Sequence, residues 1–270
     1  MHTEEDTPTM TLILTRISKH GIVHASDSNL TGAGNTTAAE GKKTFEIKHL
    51  NAGLTTAGSY SVGGLSMDRW MDTFIKGQAN ARDSSLSGFA HNLANALEMQ
   101  MVPGEKASGS MMHIAGYVEV QSESHPEFWF VRNVTGIDPS TGEYTGTSPD
   151  FQVTEDFWTR DCPNHTLMEA FQEGVSRIYV NGFASGRIGF VHLQRTMESF
   201  FRAIWHTPDW RFRAPRSIEE AKLLVELDVR IIGTLFALSD YSAPFIGGDP
   251  QTHVIAAPAN TVTESPSPSQ

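Results

Sequence analysis

Three residues near the start of the chain carry groups that could together activate a hydroxyl nucleophile. Thr11 offers a hydroxyl, Asp27 a carboxylate and Lys43 an ammonium group, and each lies sixteen positions from the next. Such a set has the nucleophile–base–orienter logic of a catalytic triad. Each residue also has an ordinary interpretation, because threonine favours strands, aspartate caps loops and lysine is often a solvated charge. The regular spacing and the strand–turn context of all three favour the catalytic interpretation.

Two predicted hairpins would position these residues. The apolar residues on either side of the polar connection at 18–21 predict the first hairpin over 11–28. The segments 44–49 and 52–57 predict the second hairpin, and the glycine-rich stretch 29–41 between the two hairpins is predicted to be a loop.

The order of these features resembles the proteasome β-subunit and HslV family of N-terminal nucleophile hydrolases. The resemblance implies that the Thr11 hydroxyl attacks an amide carbonyl and that the α-amino group of Thr11 is the general base. An α-amine suits this role because its ordinary pKa is about 7.7–8.0. Lys43 would then polarise the hydroxyl and Asp27 would hold Lys43. The backbone N–H of Gly58, in the Thr-Ala-Gly turn, would stabilise the oxyanion.

The resemblance also suggests three supporting residues. Ser185 lies in a turn similar to the one from which a family serine supports the nucleophile, although it could equally begin a helix. Asp240 and Ser242 are candidates for an aspartate and a serine near the nucleophile. They depart from the family pattern because they are two positions apart instead of three and lie further upstream.

The chemistry requires a free amino group at Thr11, but residues 1–10 precede it. An amide nitrogen cannot act as the base, so the Met10–Thr11 bond must be cut. Residues 1–10 are therefore expected to be a propeptide or N-terminal extension. Either the chain removes it autocatalytically, or translation begins at Met10 and an aminopeptidase removes that methionine.

Apolar periodicity predicts the remaining elements. Helices are expected at 65–75, 85–101 and 188–205, and a fourth begins with a capping box at Ser217 and Glu220. Further strands are expected at 112–121, 127–133 and near 251–256. The predicted fold is α+β, a four-layer αββα sandwich with two antiparallel sheets flanked by helices. Residues 11–257 would form one domain with an insertion at 134–163, and 258–270 would be a disordered tail.

The composition of the chain argues against several classes of function. The net charge of −11 and the pI near 5.4 argue against non-specific nucleic-acid binding. Cys162 is the only cysteine, which excludes an intrachain disulfide and a cysteine metal cluster. No apolar run reaches the roughly 18 residues of a membrane span, so a cytoplasmic protein is expected. The histidines lack metal-ligand spacing, and no metal or organic cofactor is expected.

The sequence therefore predicts a threonine hydrolase, a peptidase that acts on peptide or protein substrates. A small-amide amidohydrolase on the same fold and a non-catalytic assembly subunit are the alternatives. The family resemblance implies a homo-oligomeric ring and allows an ATP-dependent unfoldase as partner.

Overall fold

The structure is a computed structural model that describes residues 11–32, 36–80, 85–120, 122–137, 144–155, 177–182, 199, 203, 215–238 and 246–258. Its strands, in chain order, are β1 (Leu12–Ser18), β2 (Gly21–Ser26), β3 (Asn29–Gly32), β4 (Thr36–Glu40), β5 (Thr44–Ile47), β6 (Ala52–Gly58), β7 (Ser61–Val62), β8 (Leu65–Ser66), β9 (Ser110–Val120), β10 (Glu123–Ile137), β11 (Tyr144–Thr154), β12 (Arg177–Gly182) and β13 (Gln251–Ala256). Its helices are α1 (Met67–Gln78), α2 (Leu86–Gln100), α3 (Pro103–Ala107) and α4 (Ile218–Ala237).

Two antiparallel sheets dominate the described part of the chain. One has four strands in the order β12-β1-β2-β13, and the other has five in the order β11-β10-β9-β6-β5. Both predicted hairpins are confirmed, since β1 pairs with β2 and β5 pairs with β6. The first hairpin lies in the four-stranded sheet and the second in the five-stranded sheet.

Three apolar layers hold four layers of secondary structure together. Helices α1 and α2 pack on the outer face of the five-stranded sheet, and α4 packs on the outer face of the four-stranded sheet. The inner faces of the two sheets meet in a third cluster that includes Ile13, Met111, Phe128 and Phe130. This is the predicted αββα sandwich, which is confirmed.

Strand β1 is buried on both faces, which explains the run of three apolar residues with which it begins. Leu12 and Leu14 point toward α4, whereas Ile13 and Ile17 point toward the opposite sheet. Fully burying one such side chain contributes about 1.5–3 kcal/mol. Because the alternation is set by this burial, a slip of one residue would exchange the two faces, and the register at the start of β1 is strongly specified.

The predicted helices at 65–75 and 85–101 are confirmed as α1 and α2, and the capped helix from Ser217 is confirmed as α4. The Ser217 hydroxyl oxygen accepts the backbone N–H of Glu220 at 3.2 Å, and the Glu220 carboxylate accepts the N–H of Arg216 at 2.8 Å. These bonds satisfy two donors at the start of the helix.

The structure also differs from the sequence-based expectations. The sequence predicts a loop at 29–41, but β3 and β4 within it pair as a two-stranded ribbon. The threonine-rich composition of that stretch favours strands once a partner is available. Residues 144–154, within the predicted insertion, form β11 and pair with β10 at the edge of the five-stranded sheet. The predicted helix 188–205 falls almost entirely outside the described residues.

Candidate active site

A buried ion pair lies where the two hairpins meet. The Lys43 Nζ atom is 3.0 Å from Asp27 Oδ1, and both side chains are almost completely buried. Lys43 Nζ also donates to the backbone carbonyl of Asn29 at 2.5 Å. Within the described residues these are the two acceptors of the Lys43 ammonium, which leaves one of its three N–H bonds for another acceptor.

Asp27 follows β2 directly and ties the pair to the start of β1. Its Oδ1 atom accepts the backbone N–H of Leu12 at 2.9 Å, and the N–H of Asp27 donates to the carbonyl of Leu12 at 3.2 Å. Asp27 Oδ2 accepts the N–H of Gly247 at 3.4 Å. The carboxylate is therefore held by backbone donors from two distant segments as well as by Lys43.

Thr11 is next to this pair in the chain. The amide nitrogen of Leu12 is bonded to the carbonyl carbon of Thr11, and it shares Asp27 Oδ1 with the Lys43 ammonium. Thr11 directly precedes β1 and is 4% exposed. The fold thus brings Asp27 and Lys43 together and bonds Asp27 to the residue that follows Thr11, whereas the role of Thr11 as nucleophile stays a prediction.

The charges of the pair are strongly influenced by burial. Burial raises the pKa of Asp27 and lowers the pKa of Lys43, and the attraction between the two groups opposes both shifts. The backbone N–H groups that point at Asp27 stabilise its ionised form, and two oxygen acceptors stabilise the Lys43 ammonium. A buried pair held in this way is costly unless it is fully hydrogen-bonded, and such pairs concentrate at functional sites.

Gly58 ends strand β6, and its backbone requires glycine. Its φ angle is +96°, and a Cβ at this position would collide with the carbonyl oxygen of Gly109. This packing alone explains a glycine here. Its role as an oxyanion donor stays a prediction.

The other predicted site residues, Ser185, Asp240 and Ser242, lie outside the described residues, as does the segment 1–10. Two contacting residues were missed by the sequence analysis: Asn29, whose carbonyl binds Lys43, and Gln251, whose side chain binds the backbone of Lys43. Gln251 is more than two hundred positions from Lys43, and no spacing pattern in a single sequence reports that contact.

A second buried polar cluster lies between the sheets. Thr15 Oγ1 is 3.0 Å from His24 Nδ1 and 3.1 Å from His113 Nδ1, and His113 Nε2 is 2.6 Å from Asn181 Oδ1. Burial lowers the pKa of His24 to about 3 and that of His113 to about 4, so both are neutral at pH 7. All four side chains are almost completely buried, so this cluster links the sheets and is closed to substrate.

No family model matches the chain, and no curated protein does. Solved structures similar to it include an Anbu (Gly-1) mutant from Hyphomicrobium sp. strain MC1, at 12% identity and a TM-score of 0.48, covering 91% of this chain and 82% of that chain. Another is Anbu (ancestral beta-subunit) from Yersinia bercovieri, at 9% identity and a TM-score of 0.46, covering 94% and 84%. At these values neither structure says which residues act in this chain, and its αββα fold follows from its own layers.

The predicted resemblance to the proteasome β-subunit and HslV family is therefore wrong. No model of that family matches, and the similar structures named above are Anbu proteins. The equal intervals between Thr11, Asp27 and Lys43 follow from the lengths of the first hairpin and of the β3–β4 ribbon. They report strand geometry and do not identify a family.

None of the helices in the described part of the chain combines the length and the apolar character that crossing a bilayer requires. Among the same residues, no group of three or more His, Cys, Asp and Glu side chains is arranged to hold a metal ion.

Proposed function

We propose that the chain is a threonine-type N-terminal nucleophile hydrolase that cleaves amide bonds of peptides once the α-amino group of Thr11 is free. The observation that carries this proposal is the buried Asp27–Lys43 pair, which is joined through Asp27 Oδ1 to the backbone nitrogen that follows Thr11. A fully buried charge pair adds little to stability compared with apolar residues of similar size. Its position beside a threonine therefore favours a chemical role.

In the proposed reaction, the free α-amine of Thr11 takes the proton of the Thr11 hydroxyl as Oγ1 attacks the substrate carbonyl carbon. The remaining N–H bond of Lys43 stabilises the negative charge that develops on Oγ1, and the backbone N–H of Gly58 donates to the oxyanion. The C–N bond then breaks, and the amine product leaves with the proton. Water hydrolyses the resulting ester and releases the acid, which regenerates the hydroxyl.

Lys43 suits this role because it stays protonated while the α-amine of Thr11 accepts the proton of the hydroxyl. It donates to Asp27 and Asn29, which hold the ammonium in one place and favour its charged form. A fixed cation beside the nucleophile requires no reorganisation when negative charge develops. Asp27 acts through Lys43 and is a positioning residue in this scheme.

The test compares the full chain with a chain that begins at Thr11, each verified by intact mass and N-terminal sequencing. Both are assayed with peptide amides and with small acyl amides, and Thr11→Ala and Thr11→Ser are the variants. We expect peptide hydrolysis only from the chain with a free Thr11, loss of that activity in Thr11→Ala, and partial activity in Thr11→Ser.

Full activity in Thr11→Ala would end the proposal. A preference for small acyl amides over peptides would retain the nucleophile and replace the substrate class. If the chain that begins at Thr11 also hydrolyses neither substrate, the nucleophile proposal fails and a non-catalytic assembly role is favoured.

A further inference from the structure

The side chain of Gln251 binds the backbone on both sides of Lys43. Its Oε1 atom accepts the backbone N–H of Lys43 at 2.8 Å and that of Thr44 at 3.4 Å. Its Nε2 atom donates to the carbonyl of Gly41 at 2.6 Å. Gln251 begins β13, in the four-stranded sheet, whereas Lys43 immediately precedes β5 in the five-stranded sheet. One amide therefore joins the two sheets at the segment that carries Lys43.

These bonds complete the backbone hydrogen bonding of Lys43. Lys43 precedes β5, and its carbonyl accepts the N–H of Thr56 at 2.9 Å. The opposite backbone group, the Lys43 N–H, is taken by Gln251. Because a lysine side chain is long and flexible, the location of its ammonium depends on a fixed backbone as well as on its acceptors.

The turn that leads to Gln251 also binds Asp27, the partner of Lys43. The N–H of Gly247 donates to Asp27 Oδ2, and the carbonyl of Gly247 accepts the N–H groups of Ser28 at 3.1 Å and Asn29 at 3.3 Å. Asn29 in turn supplies the carbonyl that binds Lys43 Nζ. The segment 246–251 therefore contacts both members of the ion pair from the carboxyl-terminal part of the chain.

We infer that Gln251 is a positioning residue for Lys43, and that it sets the rate of the chemical step by holding the Lys43 backbone in register with Asp27. This inference rests on the proposed function for its kinetic consequence. Its structural part, the hold on the Lys43 and Thr44 amides, can be measured without any activity.

The experiment uses three variants. Gln251→Met keeps the length of the side chain and removes all three hydrogen bonds. Gln251→Glu keeps acceptor oxygens for Lys43 and Thr44 but loses the donor to Gly41. The matched control is Thr252→Val, the next residue on the same strand, which loses a hydrogen bond to Glu226 on α4 at 3.3 Å.

Two readouts are taken for each variant. Amide hydrogen exchange of the peptide that spans 41–47 should become faster in Gln251→Met and stay near wild type in Gln251→Glu and Thr252→Val. Peptide hydrolysis by the chain that begins at Thr11 should show kcat lowered about 10- to 100-fold in Gln251→Met, the scale of a small misplacement of a catalytic group. KM should change less than about twofold, because Gln251 contacts the Lys43 segment and not substrate. We expect an intermediate kcat for Gln251→Glu and an unchanged kcat for Thr252→Val.

Wild-type exchange and kcat in Gln251→Met would overturn the inference. An equal loss of kcat in Thr252→Val would also overturn it, because the effect would then belong to the strand and not to Gln251. If the wild-type chain is no more active than Thr11→Ala, the proposed function fails, and the exchange of the 41–47 peptide alone decides whether Gln251 holds the Lys43 backbone.

Discussion

Replacing Lys43 by methionine should leave a buried carboxylate without its counter-ion. The Asp27 side chain is completely buried, and the Lys43 ammonium is the cation with which it pairs. Removing one partner of a buried ion pair typically costs about 3–5 kcal/mol of unfolding free energy, because the remaining charge is uncompensated. Removing both charges in the double variant Asp27→Asn/Lys43→Met should recover a large part of that loss.

The cost should depend on pH in a defined direction. Burial already raises the pKa of Asp27 above its ordinary value of 3.8, and the loss of the Lys43 charge, which opposes that shift, raises it further. Above pH 3.8 the unfolded chain releases this proton while the folded chain retains it, so the Lys43→Met protein becomes less stable as pH rises toward the folded pKa. The free energy of unfolding should fall by about 1.4 kcal/mol per pH unit in this range. Acidification should therefore reduce the difference in stability between Lys43→Met and wild type.

Urea unfolding followed by tryptophan fluorescence, measured at several pH values, gives the required free energies. The neighbouring substitution Lys42→Met is the matched control. Lys42 Nζ also contacts a carboxylate, Asp72 at 2.9 Å, but both side chains are about half exposed. Its loss should cost about 1 kcal/mol or less, because exposed pairs are screened. A Lys43→Met protein that loses no more stability than Lys42→Met, or whose deficit does not change with pH, would refute this reasoning.

Three further outcomes are expected. Gly58→Ala should lower the free energy of unfolding by about 2 kcal/mol or more, and the melting temperature with it, because the positive φ and the Gly109 carbonyl exclude a side chain. An unchanged melting temperature would contradict the close contact between Gly58 and the Gly109 carbonyl. His113 should contribute to wild-type stability, and that contribution should fall by about 1.4 kcal/mol per pH unit as pH drops from 6.5 to about 4. The reason is that the unfolded histidine takes up a proton in this range and the folded one does not. His113→Gln should lack this contribution, and parallel curves of stability against pH for the two proteins would argue against it. Ser217→Ala should cost about 1 kcal/mol through loss of the helix cap to Glu220, measured by thermal melting, whereas Ser217→Asp should retain the cap.

Much of the local structure could be predicted from the sequence because short-range patterns determine it. The run of apolar residues around the polar turn at 18–21 predicts the β1–β2 hairpin, and the Ser217–Glu220 pattern predicts the start of α4. Each of these features is decided by residues a few positions apart.

The ribbon formed by β3 and β4 could not be predicted in the same way. Its sequence contains glycine and small polar residues that are typical of loops, and it forms strands through pairing between its own halves. Strand β11 is another example, because residues 144–154 become a strand by pairing with the long strand β10. Tertiary context decides the strand at β11, whereas the ribbon depends on a partner strand within its own segment, which residue preference alone does not report.

By itself, the sequence determined the first hairpin, the caps and stripes of the helices, and the order in which a threonine, an aspartate and a lysine follow one another. Those features depend on neighbouring residues, whose geometry is the same in any fold. Only the tertiary structure decided that Lys43 and Asp27 are buried against each other, and that the Gln251 amide holds the Lys43 backbone. Burial and long-range hydrogen bonds come from packing two sheets face to face, and no interval along the chain records which distant groups that packing will join.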